Sequence, residues 1–234
     1  PLKYRAQEAE EAHRSSKSNA PLFSKEFFEA QMEVVVEERV PVYAAGLGNP
    51  GPWLDRLHAN GTKVMAVVGA VKHAMQVVDA VAGRIPVLGA GGISDGRGIA
   101  AAMMLGAEGA WIGTAFLATD EAGIEDFQKE AIVESGDGDT LVSRTVTGKP
   151  ARIIRNKWSE AFVEAGLEPL PMPFQPMIAM PVLAAAAAVK RKDIAPGFAG
   201  QGMGLIHKVK PAAEVMADLV KGAESSLSRA NTYL

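Results

Sequence analysis

The hydrophobic pattern divides the chain into a regular first half and an irregular second half. Over residues 23–39 apolar positions recur at helical spacing. Phe27, Phe28, Met32, Val35 and Val36 fall near one face, and Ser24 is placed to cap the first turn. Four short, continuous apolar runs follow, at residues 40–47, 62–69, 85–92 and 110–117. Each is too short for an ordinary helix and carries glycine at or near its C-terminal end, so each reads as a strand. Residues 52–59, 71–82 and 96–105 between them read as helices. Strands alternating with helices over short connections predict parallel βαβ units. Strands without polar alternation belong to a sheet covered on both faces. A barrel and an open sheet both satisfy this pattern.

The rhythm breaks near Glu121. Residues 125–135 read as a helix and 136–150 as turns and irregular chain. Residues 169–181, rich in proline and methionine, read as a loop packed on the barrel. An alanine-rich helix is expected over 182–191, a glycine-rich loop over 197–204 and an amphipathic terminal helix over 211–227. The expected division is a partial (β/α) barrel over 1–120 and a helical and loop region over 121–234. Residues 1–19, charged and serine-rich, fit a solvated helix or an arm.

Composition narrows the function classes. A chain of 234 residues with 48% hydrophobic and 22% charged residues can build a sizeable core. A net charge of -3 gives no general attraction to nucleic acid or to an anionic membrane surface. There is no cysteine, which removes disulfides, thiolate metal sites, iron–sulfur clusters and cysteine nucleophiles. No run approaches the roughly 20 apolar residues that cross a bilayer. Residues 1–12 lack the apolar core of a signal peptide. A cytoplasmic protein that acts on a small molecule is the expectation; no metal site is expected, and a homo-oligomer is left open.

The chemistry concentrates at residues 85–114, IPVLGAGGISDGRGIAAAMMLGAEGAWIGT. Gly91 and Gly92 end one strand, and Ser94 or Asp95 can cap the helix that follows. One βα unit later Gly113 and Thr114 repeat the arrangement. Glycine lets a ligand approach the backbone closely, and backbone N–H groups can hold an anion. Two such turns in succession match the phosphate site formed by neighbouring βα loops of barrels. The plainer reading is tight βα turns. No GK[ST] follows, so this is not a Walker loop, and GxGxxG is missing, which disfavours a dinucleotide fold.

The stretch GAGGISDGRGIAAAMMLGAEGAWIGTAFLATDEA resembles the hallmark segment of the nitronate monooxygenase (2-nitropropane dioxygenase) family, FMN-dependent flavoenzymes. VPVYAAGL before it, TGKPARIIRN at 147–156 and GQGMGLIHKVKPAAEV at 200–215 extend the resemblance over most of 23–227. The resemblance implies a (β/α)8 TIM barrel, incomplete here, with a C-terminal helical and loop extension. It implies noncovalent FMN, its phosphate against Gly91 and Gly92 and then Trp111, Ile112, Gly113 and Thr114. The loop at Gly200 and Gln201 is similar to the family element that folds back near the flavin.

Two departures matter. The family's QGxEAGGH-like segment, with its proposed catalytic histidine, has no counterpart before residue 85, and the N-terminal family strands are missing as well. Four strands stand where a closed barrel needs about eight, so the sequence is expected to represent part of a longer polypeptide, with a natural deletion or a fragment as the rival account. No catalytic residue is assigned. His73 reads as structural or solvated, His58 as lying on an outer helix and His13 in the charged arm; His207 has the next best chance of nearing a flavin. Val67 stands where some relatives place a lysine, which argues against a quinone-reductase subgroup.

Two further clusters have double readings. Lys149, Arg152, Arg155 and Lys157 could grip a phosphorylated substrate such as a coenzyme A thioester, but surface solubility is favoured. Met172, Met177, Met180 and Phe174 could line an apolar pocket or pack on the barrel. The resemblance implies oxidation of alkyl nitronates by oxygen. The alternatives are an NAD(P)H-dependent FMN reductase acting on an enoyl thioester or quinone, a non-redox phosphate-binding barrel, and a non-catalytic remnant.

Overall fold

Ser24 begins the described part of the chain by capping its first helix. Its hydroxyl accepts from Phe27 N–H at 3.1 Å, as the sequence predicts. The computed structural model describes residues 24–46, 50–68 and 86–233. The chain forms two compact units, residues 1–83 and 84–234.

In the first unit, α1 (Lys25–Glu37) leads into β1 (Val42–Ala45), a single 3-10 turn, α2 (Leu54–Ala59) and β2 (Lys63–Ala66). β1 and β2 pair in parallel, with Val42 opposite Lys63 and Ala45 opposite Ala66. Parallel strands need a crossover, and α2 supplies it. Met32 of α1 and Leu57 of α2 are buried at 1% and 0% exposure, which fixes the core of this unit. Polar contacts reinforce it. Arg56 makes a two-pronged pair with Glu33 at 2.8 and 2.6 Å, and Asn60 donates to Val36 O at 2.7 Å. The buried Thr62 hydroxyl donates to Val40 O at 2.7 Å.

The second unit opens with the same device. β3 (Leu88–Ala90), α3 (Gly96–Met104) and β4 (Gly109–Trp111) form a parallel strand–helix–strand unit, with Gly89 opposite Ala110. α3 docks on the terminal helix α8 (Ala212–Ala230) by backbone approach. A methyl group on Gly96 would lie 2.2 Å from Ala223 N, so the crossing point accepts only glycine. Between β4 and α8 come α4 (Thr114–Leu117), α5 (Asp126–Glu134), β5 (Thr140–Ser143), β6 (Ala151–Ile154), α6 (Lys157–Glu164) and α7 (Phe174–Ala188). The core of this unit gathers Ala115, Ala118, Ile132, Ile154, Met203 and Ile206, with Ile112 and Val215 packed against it.

The α/β class with a partial barrel pattern and a helical and loop extension is what the molecule has. Three two-stranded sheets are present and no closed barrel occurs among the described residues. The four expected parallel strands are there, paired as β1–β2 and β3–β4. The helix expected over 71–82 and His73 lie outside the described residues, as do His13 and the N-terminal arm.

Three local expectations are corrected and one element is added. The run at 110–117 is not one strand. β4 ends at Trp111, and after Gly113 the chain turns into α4, with Phe116 and Leu117 N–H both donating to Gly113 O. Residues 136–150 contain β5, antiparallel to β6, because burial of Ile153 and Ile154 rewards pairing in a run too short to show alternation. Residues 157–164, given no element in the sequence reading, form α6, capped by Asn156. The proline-rich stretch is helical from Phe174. Pro176 lies in the first turn, where the missing N–H has no partner to lose, and Pro181 is accommodated inside α7.

Candidate functional site

The C-terminal ends of β3 and β4 place two glycine turns side by side. Gly91 and Gly92 take φ of 92° and 71°, in the left-handed region that other residues adopt only with strain. A methyl group on Gly91, Gly92 or Gly113 would meet nothing within 4 Å, so all three backbones border open space. Among the described residues, no acceptor takes the N–H groups of Gly91, Gly92, Gly113 or Thr114. Successive unspent N–H groups on an exposed turn form an anion-binding concavity.

A third segment closes over these turns. After the core residue Ala199, Gly200 donates its N–H to Thr114 Oγ1 at 2.9 Å, and the chain winds into a 3-10 segment, Gln201–Leu205. A methyl group on Gly200 would lie 3.3 Å from Thr114 Oγ1 and 3.8 Å from Gly92 N. One point of the C-terminal loop therefore touches both turns. Gly202 is wedged tighter, since a methyl there would lie 2.4 Å from Ser94 Oγ and 2.8 Å from Gly92 O.

The structure thus brings Gly92, Thr114 and the Gly200–Gln201 loop together, with Gly91 and Gly113 adjoining them in the chain. The two large side chains divide. Trp111 is 48% exposed at the end of β4, whereas Ile112 turns into the core, leaving only its backbone to face a ligand. Gln201 is exposed. Sequence reasoning missed the contact between Thr114 and Gly200, because nothing local links positions 86 residues apart.

Asp95 settles the alternative between Ser94 and Asp95 as cap. Its carboxylate accepts from Gly98 N–H at 2.8 Å and from Arg97 Nε at 2.6 Å. Burial pushes the Asp95 carboxyl up, but the hydrogen bonds from Gly98 and Arg97 outweigh it and hold the group below its ordinary value. Ser94 and Asp95 also border a cavity of about 340 Å³ with Ala118, Ile206, His207 and Lys208. His207 is exposed there, and His58 is exposed on α2 of the other unit.

Two of the four residues of the basic cluster are committed to the protein itself. Arg152 donates to Thr140 Oγ1 at 2.9 Å, and Lys157 pairs with Asp193 at 3.0 Å. Hydrogen bonds from Arg191 and then Lys157 hold the Asp193 carboxyl far below the usual carboxylate range. Phe174, Met177 and Met180 are exposed on α7. Gln175 of the same helix is buried, accepting from Leu170 N–H at 2.9 Å and donating to Thr145 O at 2.7 Å. Among the described residues no group of three His, Asp or Glu could hold a metal ion, and no helix is long and apolar enough to cross a membrane.

The chain is similar to known proteins over most of its length. The profile of the nitronate monooxygenase family matches residues 74–222, which include both glycine turns and the closing loop. The chain is 32% identical to a Mycobacterium tuberculosis protein named as a monooxygenase, over 89% of this chain and 66% of that one. It is 35% identical to a Staphylococcus saprophyticus protein named as a nitronate monooxygenase, over 83% and 56%. The chain thus spans about half to two thirds of the length of these relatives. Among solved structures, FabK from Thermotoga maritima superposes with a TM-score of 0.72 at 30% identity, covering 93% of this chain and 80% of that one. Nitroalkane oxidase from Streptomyces ansochromogenes superposes with a TM-score of 0.75 at 25% identity, covering 86% and 69%. The chain belongs to the nitronate monooxygenase family.

Proposed function

We propose that the protein is an FMN-dependent oxidoreductase that oxidises alkyl nitronates with oxygen. The observation that carries this reading is the pair of glycine turns with unspent N–H groups, in a chain of this family. The residues present fit the phosphate of FMN. Gly91, Gly92 and Gly113 leave room that any side chain would fill, and the N–H groups of these three and of Thr114 have no acceptor among the described residues. When bound, FMN supplies the electron-accepting chemistry, which no side chain of this protein can supply.

The protein's own part is to bind, orient and shield. The N–H groups of Gly91, Gly92, Gly113 and Thr114 would hold the phosphate of FMN. Trp111 offers an exposed aromatic face beside it. The Gly200–Gln201 loop limits access of water on the side it covers. A nitronate is already an anion, so its oxidation asks for electrostatic stabilisation and no general base.

The test is a visible absorption spectrum of the purified protein, followed by denaturation to release the cofactor, and then oxygen uptake with an alkyl nitronate. Flavin bands, released FMN and oxygen uptake without NAD(P)H support the reading. A colourless protein that takes up no added FMN overturns it. A yellow protein that turns over only with NAD(P)H assigns it instead to the reductase chemistry.

A further inference from the structure

Thr114 is the only side chain that ties the C-terminal loop to the glycine turns by a described hydrogen bond. Its Oγ1 accepts from Gly200 N–H at 2.9 Å. A hydroxyl carries one donor and two acceptor lone pairs. The Thr114 hydroxyl proton has no acceptor among the described residues. Its oxygen and Gly92 N lie 3.3 and 3.8 Å from the position a methyl group on Gly200 would take, so the loop meets both turns at one residue. That proton is a further unspent donor at the residue where the loop meets the two turns.

We propose that Thr114 is a positioning residue that couples occupancy of the anion site to seating of the Gly200–Leu205 loop. The proposal rests on the phosphate-site reading above and deepens it. The ligand class is a phosphate monoester. Thr114 donates its hydroxyl proton to the phosphate while its oxygen accepts from Gly200 N–H. Donation to a charged oxygen polarises the hydroxyl and strengthens the bond it accepts, since linked hydrogen bonds reinforce one another. By linkage, the seated loop strengthens phosphate binding by the same factor.

The loop is built to respond as one piece. Gly202 sits against Ser94 and Gly92 O, and Gly204 lies so close to Asp137 that a methyl group would meet its backbone N at 2.8 Å. Met203, between them, is fully buried in the core. The Thr114–Gly200 bond is the first anchor of this segment, and the exposed Gln201 follows it directly.

The experiment compares the full chain with T114S and T114V. Hydrogen exchange of residues 199–206 is followed with no ligand, with FMN and with riboflavin, which lacks the phosphate, and FMN affinity is measured by quenching of flavin fluorescence. FMN is expected to slow exchange in this segment in the wild type and in T114S, and riboflavin to leave it unchanged. T114V is expected to bind FMN about tenfold more weakly, a factor that corresponds to roughly 1.4 kcal/mol, and to show no slowing with FMN. If FMN binds the wild type far better than riboflavin yet leaves exchange of 199–206 unchanged, the coupling is overturned and the phosphate site stands. If FMN and riboflavin bind the wild type equally, both readings fall. The wild-type comparison does not depend on whether T114V folds, and rescue by T114S separates the hydroxyl from side-chain shape.

Discussion

The chain contains two parallel strand–helix–strand units with nearly the same local plan, and among the described residues the candidate site lies on the second. β1–α2–β2 and β3–α3–β4 each pair two short parallel strands through one helix. β1 ends at Gly46, which has no left-handed φ, and β2 ends in the exposed Val67 and Val68. β3 and β4 are followed by Gly91, Gly92 and Gly113, where a methyl group would meet nothing within 4 Å and the N–H groups have no acceptor among the described residues. The connecting helices dock differently too. α2 is held by the side chains of Leu57 and Arg56, α3 by backbone contact at Gly96. The difference teaches that the βα unit supplies a scaffold and that a few backbone conformations at strand ends make it chemical.

The largest effect is expected where the second unit has no slack. Gly96→Ala places a methyl 2.2 Å from the backbone of α8, which cannot rotate away as a side chain can. We expect a loss of roughly 3 kcal/mol in the urea unfolding free energy, typical of overpacking at a rigid contact. Arg56→Ala in the first unit removes only an exposed ion pair and its stacking on Trp53, and shifts the midpoint far less. Equal effects of the two changes would show that backbone contact does not distinguish how the helices dock.

The next change tests the chemical half of the comparison. Gly92→Ala forces a side chain into φ of 71°, at a cost of about 1–2 kcal/mol, and fills the space before the unspent N–H groups. FMN affinity should fall by about tenfold or more, since each 1.4 kcal/mol is roughly tenfold. Gly46→Ala, at the matching end of β1, should leave FMN affinity unchanged in the same fluorescence titration. A comparable loss at Gly46 would end the claim that only one unit binds the cofactor.

Much of this contrast was legible in the sequence, because strand ends and glycine turns are local features. The four apolar runs, the Ser24 cap and the two turns all follow from neighbouring residues. What escaped was set by distant partners. β5 and β6 pair through the burial of Ile153 and Ile154, and Thr114 meets Gly200 across 86 positions. Prolines at 173, 176 and 181 argued for a loop where α7 forms, since Pro176 falls in the one turn that tolerates it. Met177 and Met180, which the sequence offers either to an apolar pocket or to packing on the barrel, are exposed, because composition cannot say which face of an apolar helix finds a partner.

The smallest expected effect concerns how the two connecting helices begin. α3 starts from Asp95, whose carboxylate caps Gly98 N–H and pairs with Arg97, whereas α2 starts from Trp53 with no side-chain cap. Asp95→Ala should cost about 1 kcal/mol, as loss of an N-cap does. Asp95→Asn keeps an acceptor and removes the charge, so it isolates the titrating part. The folded carboxyl is held below its ordinary value, so its ionised form stabilises the folded chain. That contribution is present above the unfolded value of about 3.9 and is lost as pH falls through the lower folded value. The wild type should therefore exceed Asp95→Asn in urea midpoint above about pH 4, and the gap should close on further acidification. A gap that widens on acidification would mean that the Asp95 charge is unfavourable in the folded chain, and would remove this distinction between the two helices.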